Sequence, residues 1–195
     1  EAGNIVCEIY GTKEADGSYT RLGVMCPATA LWQDKIADLV RQLTFDIGAS
    51  GVYIDQIAAM AAVLCCDETH GHPLGGGGWW RAGYGSMLRK TRGASDQAPL
   101  TTECNAEPYV GWLDAYLMWH CMFPGQVPAF SAVYSSRVRL FGRASVGDAD
   151  ALWALTAQSW VYGEQIGWFS PGGVHGSGEG FTRFLTEAVR LRAVV

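Results

Sequence analysis

Short apolar runs, each closed by a polar residue or a turn, alternate along this chain with segments whose apolar residues recur at helical spacing. Runs of that length are too short for helices and read as strands. Strand–helix alternation points to a parallel sheet covered by helices. The clearest run is Gly51-Val52-Tyr53-Ile54-Asp55, β-branched and aromatic, as expected of a strand buried on both faces. The others are Leu22–Cys26, Leu100–Cys104, Ala115–Trp119, Ala129–Tyr134 and Gln165–Phe169. Between them, helices are expected from about Leu31 to Ile47 and from about Trp80 to Thr91. Two more follow: one with Leu152, Trp153, Thr156 and Trp160 on its face and Asp148 as cap, and a last one carrying Phe181, Phe184, Leu185, Ala188 and Val189. A short helix is expected within Glu107–Leu113.

A doubly wound sheet announces itself by G-x-G-x-x-G after its first strand, and nothing here matches. A (β/α)8 TIM-barrel type of α/β fold fits better. With six strand candidates the chain reads as a single partial barrel, about strands three to eight, over residues 1–195. Two open edges would then invite self-association, or be covered by Ile5–Tyr10 or by another chain. The chain opens at Glu1 without a signal segment and closes on apolar residues, so both ends read as cut from something longer. No compartment can be read from it.

Hydrophobic residues make up 49% and charged ones 17%, which argues against disorder. The net charge of -5 leaves no basic surplus to neutralise phosphates, so no nucleic-acid partner is expected. No apolar run approaches a membrane span. The six cysteines contain no C-x-x-C pair and are expected to be reduced, in a chain long and apolar enough to need no disulfide framework.

Polar residues gather just after the strands, where parallel α/β folds place their sites. Asp55 closes one wholly apolar strand and Glu103 closes the next, 48 residues on. Adjacent parallel strands lie about 4.8 Å apart. Carboxylates at neighbouring strand ends can therefore flank a glycosidic bond, at about 5–5.5 Å for retention or about 6.5–9.5 Å for inversion. Glu107 is the rival of Glu103 and reads as a supporting residue. The catalytic pair is thus Asp55 and Glu103. Tyr53, Asn105, His120, Tyr134 and His175 are candidates for the rim of the same mouth. For His120 the alternative is a core histidine, and for His175 an exposed loop histidine.

The densest polar patch runs from Cys65 to Trp80, with Asp67, His70, His72, a glycine tetrad, Trp79 and Trp80. Read as a substrate loop, its Asp and His bond sugar hydroxyls while its Trp rings offer flat apolar faces. Read plainly, it is a long loop held by its own hydrogen bonds. A zinc reading would use Cys66, His70 and His72, but these match no standard spacing, so no metal and no cofactor are expected. The tetrad is no P-loop, because no Gly-Lys-Ser/Thr follows, and G-x-S-x-G is absent.

At GVYIDQI, CDETHGHPLGGGGWW, TTECNAE, VPAFSAVY and LFGR the chain resembles the DUF6259 family, bacterial proteins related to glycoside hydrolases with a (β/α)8 barrel. The resemblance runs from about Val24 to Leu191, and the HGHPLGGG loop after a YIDQ strand is its most specific part. It implies a sugar substrate. It also implies early barrel strands ahead of this chain, often after a β-sandwich. By wider analogy, retaining α-glycosidases of the α-amylase and endo-α-N-acetylgalactosaminidase types carry an Asp nucleophile after strand four and a Glu acid/base after strand five. If Leu22–Cys26 is strand three, Asp55 and Glu103 take those places. The α-galactosidase type puts an Asp acid after strand six. Here that strand ends at Trp119-His120, and Asp114 precedes it.

The resemblance therefore implies a glycoside hydrolase, retaining and specific for an α-linked glycan or glycoside, with carbohydrate as its partner. The alternatives are a non-catalytic carbohydrate-binding barrel fragment and a metal-dependent hydrolase using Cys66, His70 and His72.

Overall fold

The computed structural model describes residues 3–95, 97–119, 125–143, 149–167, 172, 176 and 178–192. They divide into two compact units, interleaved in sequence. One holds Glu1–Val52 and Met60–Ala98, the other Tyr53–Ala59 and Pro99–Val195.

The first unit begins with a hairpin. Strands β1 (Cys7–Lys13) and β2 (Tyr19–Gly23) pair antiparallel in a two-stranded sheet of their own. Leu22 and Gly23 therefore belong to a hairpin and not to the parallel sheet, which removes the strand-three label from that segment. The turn explains why: Gly17 takes φ +84°, and the Asp16 carboxylate accepts from the Ser18 amide at 2.9 Å, which reverses the chain.

Thr29 caps helix α1 (Ala30–Arg41), its hydroxyl accepting from the Trp32 amide. The helical pattern to Ile47 is real, but its end is a π-helical turn over Gln42–Asp46. There the Thr44 hydroxyl donates to the Val40 carbonyl at 2.9 Å and competes with the helical ladder. Gly48, at φ +79°, ends the segment.

Helix α2 (Trp79–Ala94) buries Trp79, Trp80, Tyr84, Met87 and Leu88 and packs on α1, with Lys90 paired to Asp34. Gly83 makes the approach of α2 to the start of α1 possible. A Cβ there would lie 2.9 Å from the Ala28 nitrogen and the Pro27 carbonyl carbon. Gly83→Ala is therefore expected to lower the melting temperature. The clash is with backbone, costs about 1–3 kcal/mol, and outweighs a helix-propensity gain of about 1 kcal/mol. Gly93, on the same helix, has no neighbour within 4 Å at that position. Gly93→Ala should raise the melting temperature instead, and parallel thermal melts of the two variants check both signs.

The second unit is built on a four-stranded parallel sheet in the order β3 (Val52–Ile54), β4 (Leu100–Glu103), β5 (Ala115–Leu117), β6 (Arg139–Phe141). Glu103 stands opposite Leu117, and Leu117 opposite Phe141, so the carboxyl ends are level. Leu100, Tyr116 and Leu140 are buried at its centre. Beyond β6 the sheet continues as a single parallel bridge from Phe141 to Gln165. The rest of the expected strand, Trp168–Phe169, lies outside the described residues.

Ala129–Tyr134 is not a strand but helix α3. Six apolar residues are too few for periodicity to separate the two. Tertiary packing decides, as Phe130 sets its ring edge-on to Tyr116 at 5.6 Å and lies 4.9 Å from Tyr134, one turn on. The strand in that stretch is the three-residue β6. Helices α4 (Ala149–Val161) and α5 (Gly178–Arg192) follow, and Trp153 of α4 rests on Phe184 of α5 at 4.2 Å. Asp148, the expected cap of α4, lies outside the described residues.

The architecture is thus mixed α/β around a four-stranded parallel sheet. Among the described residues no helix is long and apolar enough to cross a membrane.

Candidate functional site

Both strand-end carboxylates are followed by a residue in the left-handed region. Gln56 comes directly after Asp55 with φ +67°, and Cys104 directly after Glu103 with φ +56°. A non-glycine residue there is strained, and such strain gathers at functional sites. The two bends also have local consequences. The Gln56 side chain donates from Nε2 to Oε2 of Glu103 at 3.0 Å, and the Cys104 thiol donates to the Trp119 carbonyl at 3.0 Å.

Glu103 is only 5% exposed, whereas Asp55 is open to solvent. A carboxyl group buried that far is costly without hydrogen-bonding partners, and Gln56 is one. Gln56 is not among the residues that the sequence singles out. Its signal was its place directly after a strand-end carboxylate.

Tyr53, half-exposed on β3, joins the two acids electrostatically. Burial raises its phenol well above the ordinary range, and the Asp55 and Glu103 carboxylates raise it further, with a side-chain hydrogen bond to Asp55. Tyr116 is wholly buried, and its phenol is also raised, chiefly by burial. Both phenols stay protonated in the folded chain at a pH where unfolded tyrosine ionises, about 10. The folded state then binds more protons than the unfolded one, so stability should fall as pH rises past that point. Urea unfolding midpoints measured on either side of pH ~10 check this, and Tyr116→Phe should flatten the fall.

Asn105 is half-buried, two residues past Glu103. The Tyr134 hydroxyl on α3 donates to Glu107, which begins the 3-10 turn Glu107–Tyr109. Tyr134 and Glu107 thus engage each other. His120 and His175 lie outside the described residues.

Past the end of β6, Arg143 grips the buried Glu164 through two hydrogen bonds, Nε to Oε2 at 3.0 Å and Nη2 to Oε1 at 2.6 Å. Its Nη1 donates to Gln158 at 2.9 Å, and its guanidinium lies 5.5 Å from the Tyr162 ring centre. This network too was missed, because its members are separated in sequence and each looks ordinary alone.

The polar loop of the first unit is organised differently from a row of sugar contacts. Asp67 caps the 3-10 turn Glu68–His70, accepting from the Thr69 amide at 2.9 Å. Cys65 and Gly75 close the loop through a pair of backbone hydrogen bonds. His72 stacks flat on Trp79, with ring centres 3.7 Å apart, and Trp79 and Trp80 are both buried. Neither indole therefore presents the open face that a sugar platform would use. His70 and His72 turn toward Cys65 and Cys26, and the four donor atoms lie within 4.8 Å of one another. Cys66, the thiol considered for zinc, is exposed and outside that cluster. Burial pushes the Cys26 thiol above its usual range, and the neighbouring Cys65 adds to the rise.

Two relatives match over most of this chain. One, from Monosiga brevicollis and named "Putative glycoside hydrolase 22789", is 36% identical over 172 residues, 83% of this chain and 14% of its own length. The other, from Bacteroides thetaiotaomicron and named "Putative glycoside hydrolase", is 30% identical over 177 residues, 87% of this chain and 26% of its own length. The chain thus spans about a quarter or less of the relatives it matches. The profile described as "Domain of unknown function (DUF6259)" matches residues 1–145, which carry the strand-end carboxylates, the strained residues after them and the whole His/Cys loop. The chain therefore belongs to the DUF6259 family.

Proposed function

We propose that this chain carries the catalytic carboxylates of a retaining glycoside hydrolase acting on an α-linked glycan or glycoside. The observation that carries the reading is the pair of acids at adjacent strand ends, one exposed and one buried, each followed by a strained residue. The names of the two relatives point the same way. Asp55, open to solvent and electrostatically coupled to the Tyr53 phenol, is the nucleophile at the anomeric carbon. Glu103 is the acid that protonates the departing oxygen, then the base that takes a proton from water. Gln56 donates to Oε2 of Glu103 and holds the carboxyl group in place.

The test is hydrolysis of a panel of α- and β-linked glycosides by the full-length protein, with the anomer of the first-formed product read by NMR. Release of the α-anomer from an α-linked substrate supports the roles given. Inversion would make Asp55 a general base. Sugar binding with no product from any substrate would leave a binding module and sink the enzyme reading.

A further inference from the structure

We propose that Cys26, Cys65, His70 and His72 hold a structural zinc ion. Two thiols and two imidazoles form the donor set of a tetrahedral zinc site, and all four donor atoms converge within 4.8 Å. Cys26 Sγ lies 3.4 Å from His72 Nε2, and Cys65 Sγ lies 3.2 Å from His70 Nδ1. With Zn–S of about 2.3 Å and Zn–N of about 2.0–2.1 Å, neighbouring donors of a tetrahedron stand about 3.5 Å apart. The loop is therefore close to the ligated spacing already. Two separate thiol–imidazole hydrogen bonds would account for each contact, but they give no reason for the two pairs to meet.

The outer nitrogens of both rings support the same assignment. His72 Nδ1 lies 2.8 Å from the Pro73 carbonyl oxygen, which can only accept, so Nδ1 carries the proton and the Nε2 lone pair faces Cys26. His70 Nε2 lies 3.5 Å from the Asp67 carboxylate, so with its proton on that side its Nδ1 lone pair faces Cys65. A carbonyl or carboxylate behind each ligating imidazole is the usual support of a zinc histidine. Stacking on Trp79 fixes the His72 ring plane.

Zinc would also supply what this loop lacks. From Met60 to Gly78 no residue is buried, so the segment has almost no apolar anchor of its own. Cys26, by contrast, is buried and held at the turn into α1, where its carbonyl accepts from the Thr29 hydroxyl at 3.0 Å. An ion joining Cys26 to the loop ties that segment to the rigid start of a helix. Four protein ligands leave no open position, which makes the site structural and not catalytic.

The full chain, produced without a histidine tag in zinc-supplemented medium, is expected to carry one zinc per molecule by elemental analysis. The reduced, metal-free chain, titrated with cobalt(II), should develop the intense visible bands of a tetrahedral ion and thiolate-to-cobalt charge transfer in the near ultraviolet. Cys26→Ser and Cys65→Ser should abolish both signals, while Cys66→Ser keeps them. Asp67→Asn should keep the tetrahedral spectrum but weaken zinc binding by roughly 10–100-fold. A ligand variant that fails to fold would lose metal for a trivial reason, so the unmodified chain and Cys66→Ser decide. The proposal is overturned if the folded, reduced chain binds neither ion, if its cobalt spectrum is weak and octahedral, or if Cys66→Ser removes the metal.

Discussion

Glu103→Gln in the full-length protein is expected to lower turnover of an unactivated glycoside by roughly 10²–10⁴-fold, the usual contribution of a positioned general acid. Gln keeps the shape of Glu and can still accept from Gln56, so circular dichroism and melting should change little. The loss should be much smaller on a substrate whose leaving group is already acidic, because such a group departs with little protonation. Asp55→Asn should instead lower turnover on every substrate, since both steps of retention pass through the nucleophile. The contrast between the two variants across leaving groups separates an acid from a nucleophile. If both variants stay within a few-fold of the parent on a substrate the parent cleaves, the assignment fails. A uniform loss from Glu103→Gln, independent of leaving group, would make Glu103 a binding residue.

Arg143→Ala should be among the most destabilising single changes in the chain. The Glu164 side chain is fully buried and that of Arg143 nearly so, at 7% exposure. Removing the guanidinium takes the opposite charge and two hydrogen bonds from the buried carboxylate, and breaking a buried pair typically costs about 3–5 kcal/mol. Against a total stability of about 5–15 kcal/mol that is a large share. The replacement also empties space beside Tyr162 and leaves Gln158 without that donor. Removing both charges together is a milder change, because no unpaired ion remains. Arg143→Met with Glu164→Leu should therefore recover much of the loss, and denaturant unfolding of the single and double variants measures it. A double variant no more stable than Arg143→Ala would mean that the hydrogen bonds to Gln158 and the ring contact, not the ion pair, carry the energy.

Local physics made part of this chain legible before any coordinates. The strands over Val52–Ile54, Leu100–Glu103 and Ala115–Leu117 stand where short apolar runs place them, and the helices α1, α2 and α5 where apolar residues recur at helical spacing. Asp55 and Glu103 stood out because a carboxylate at the end of an apolar strand needs a reason. Where two readings had equal local support, contacts from elsewhere decided. Ala129–Tyr134 becomes a helix through the packing of Phe130 on Tyr116, and Leu22–Gly23 joins a hairpin through its pairing with β1.

The side-chain partnerships were not legible at all. Gln56 reaches Glu103 across 47 positions, Arg143 reaches Glu164 across 21, and Cys26 meets His72 across 46. A zinc reading drawn from neighbouring residues alone picks Cys66 with His70 and His72, whereas the fold gathers Cys65 with those histidines and brings in Cys26 as the fourth donor. Periodicity reports what each segment can bury, since burial depends on the face a helix or strand presents. Which charge meets which depends on how the segments are brought together, and that is settled only when the chain has folded.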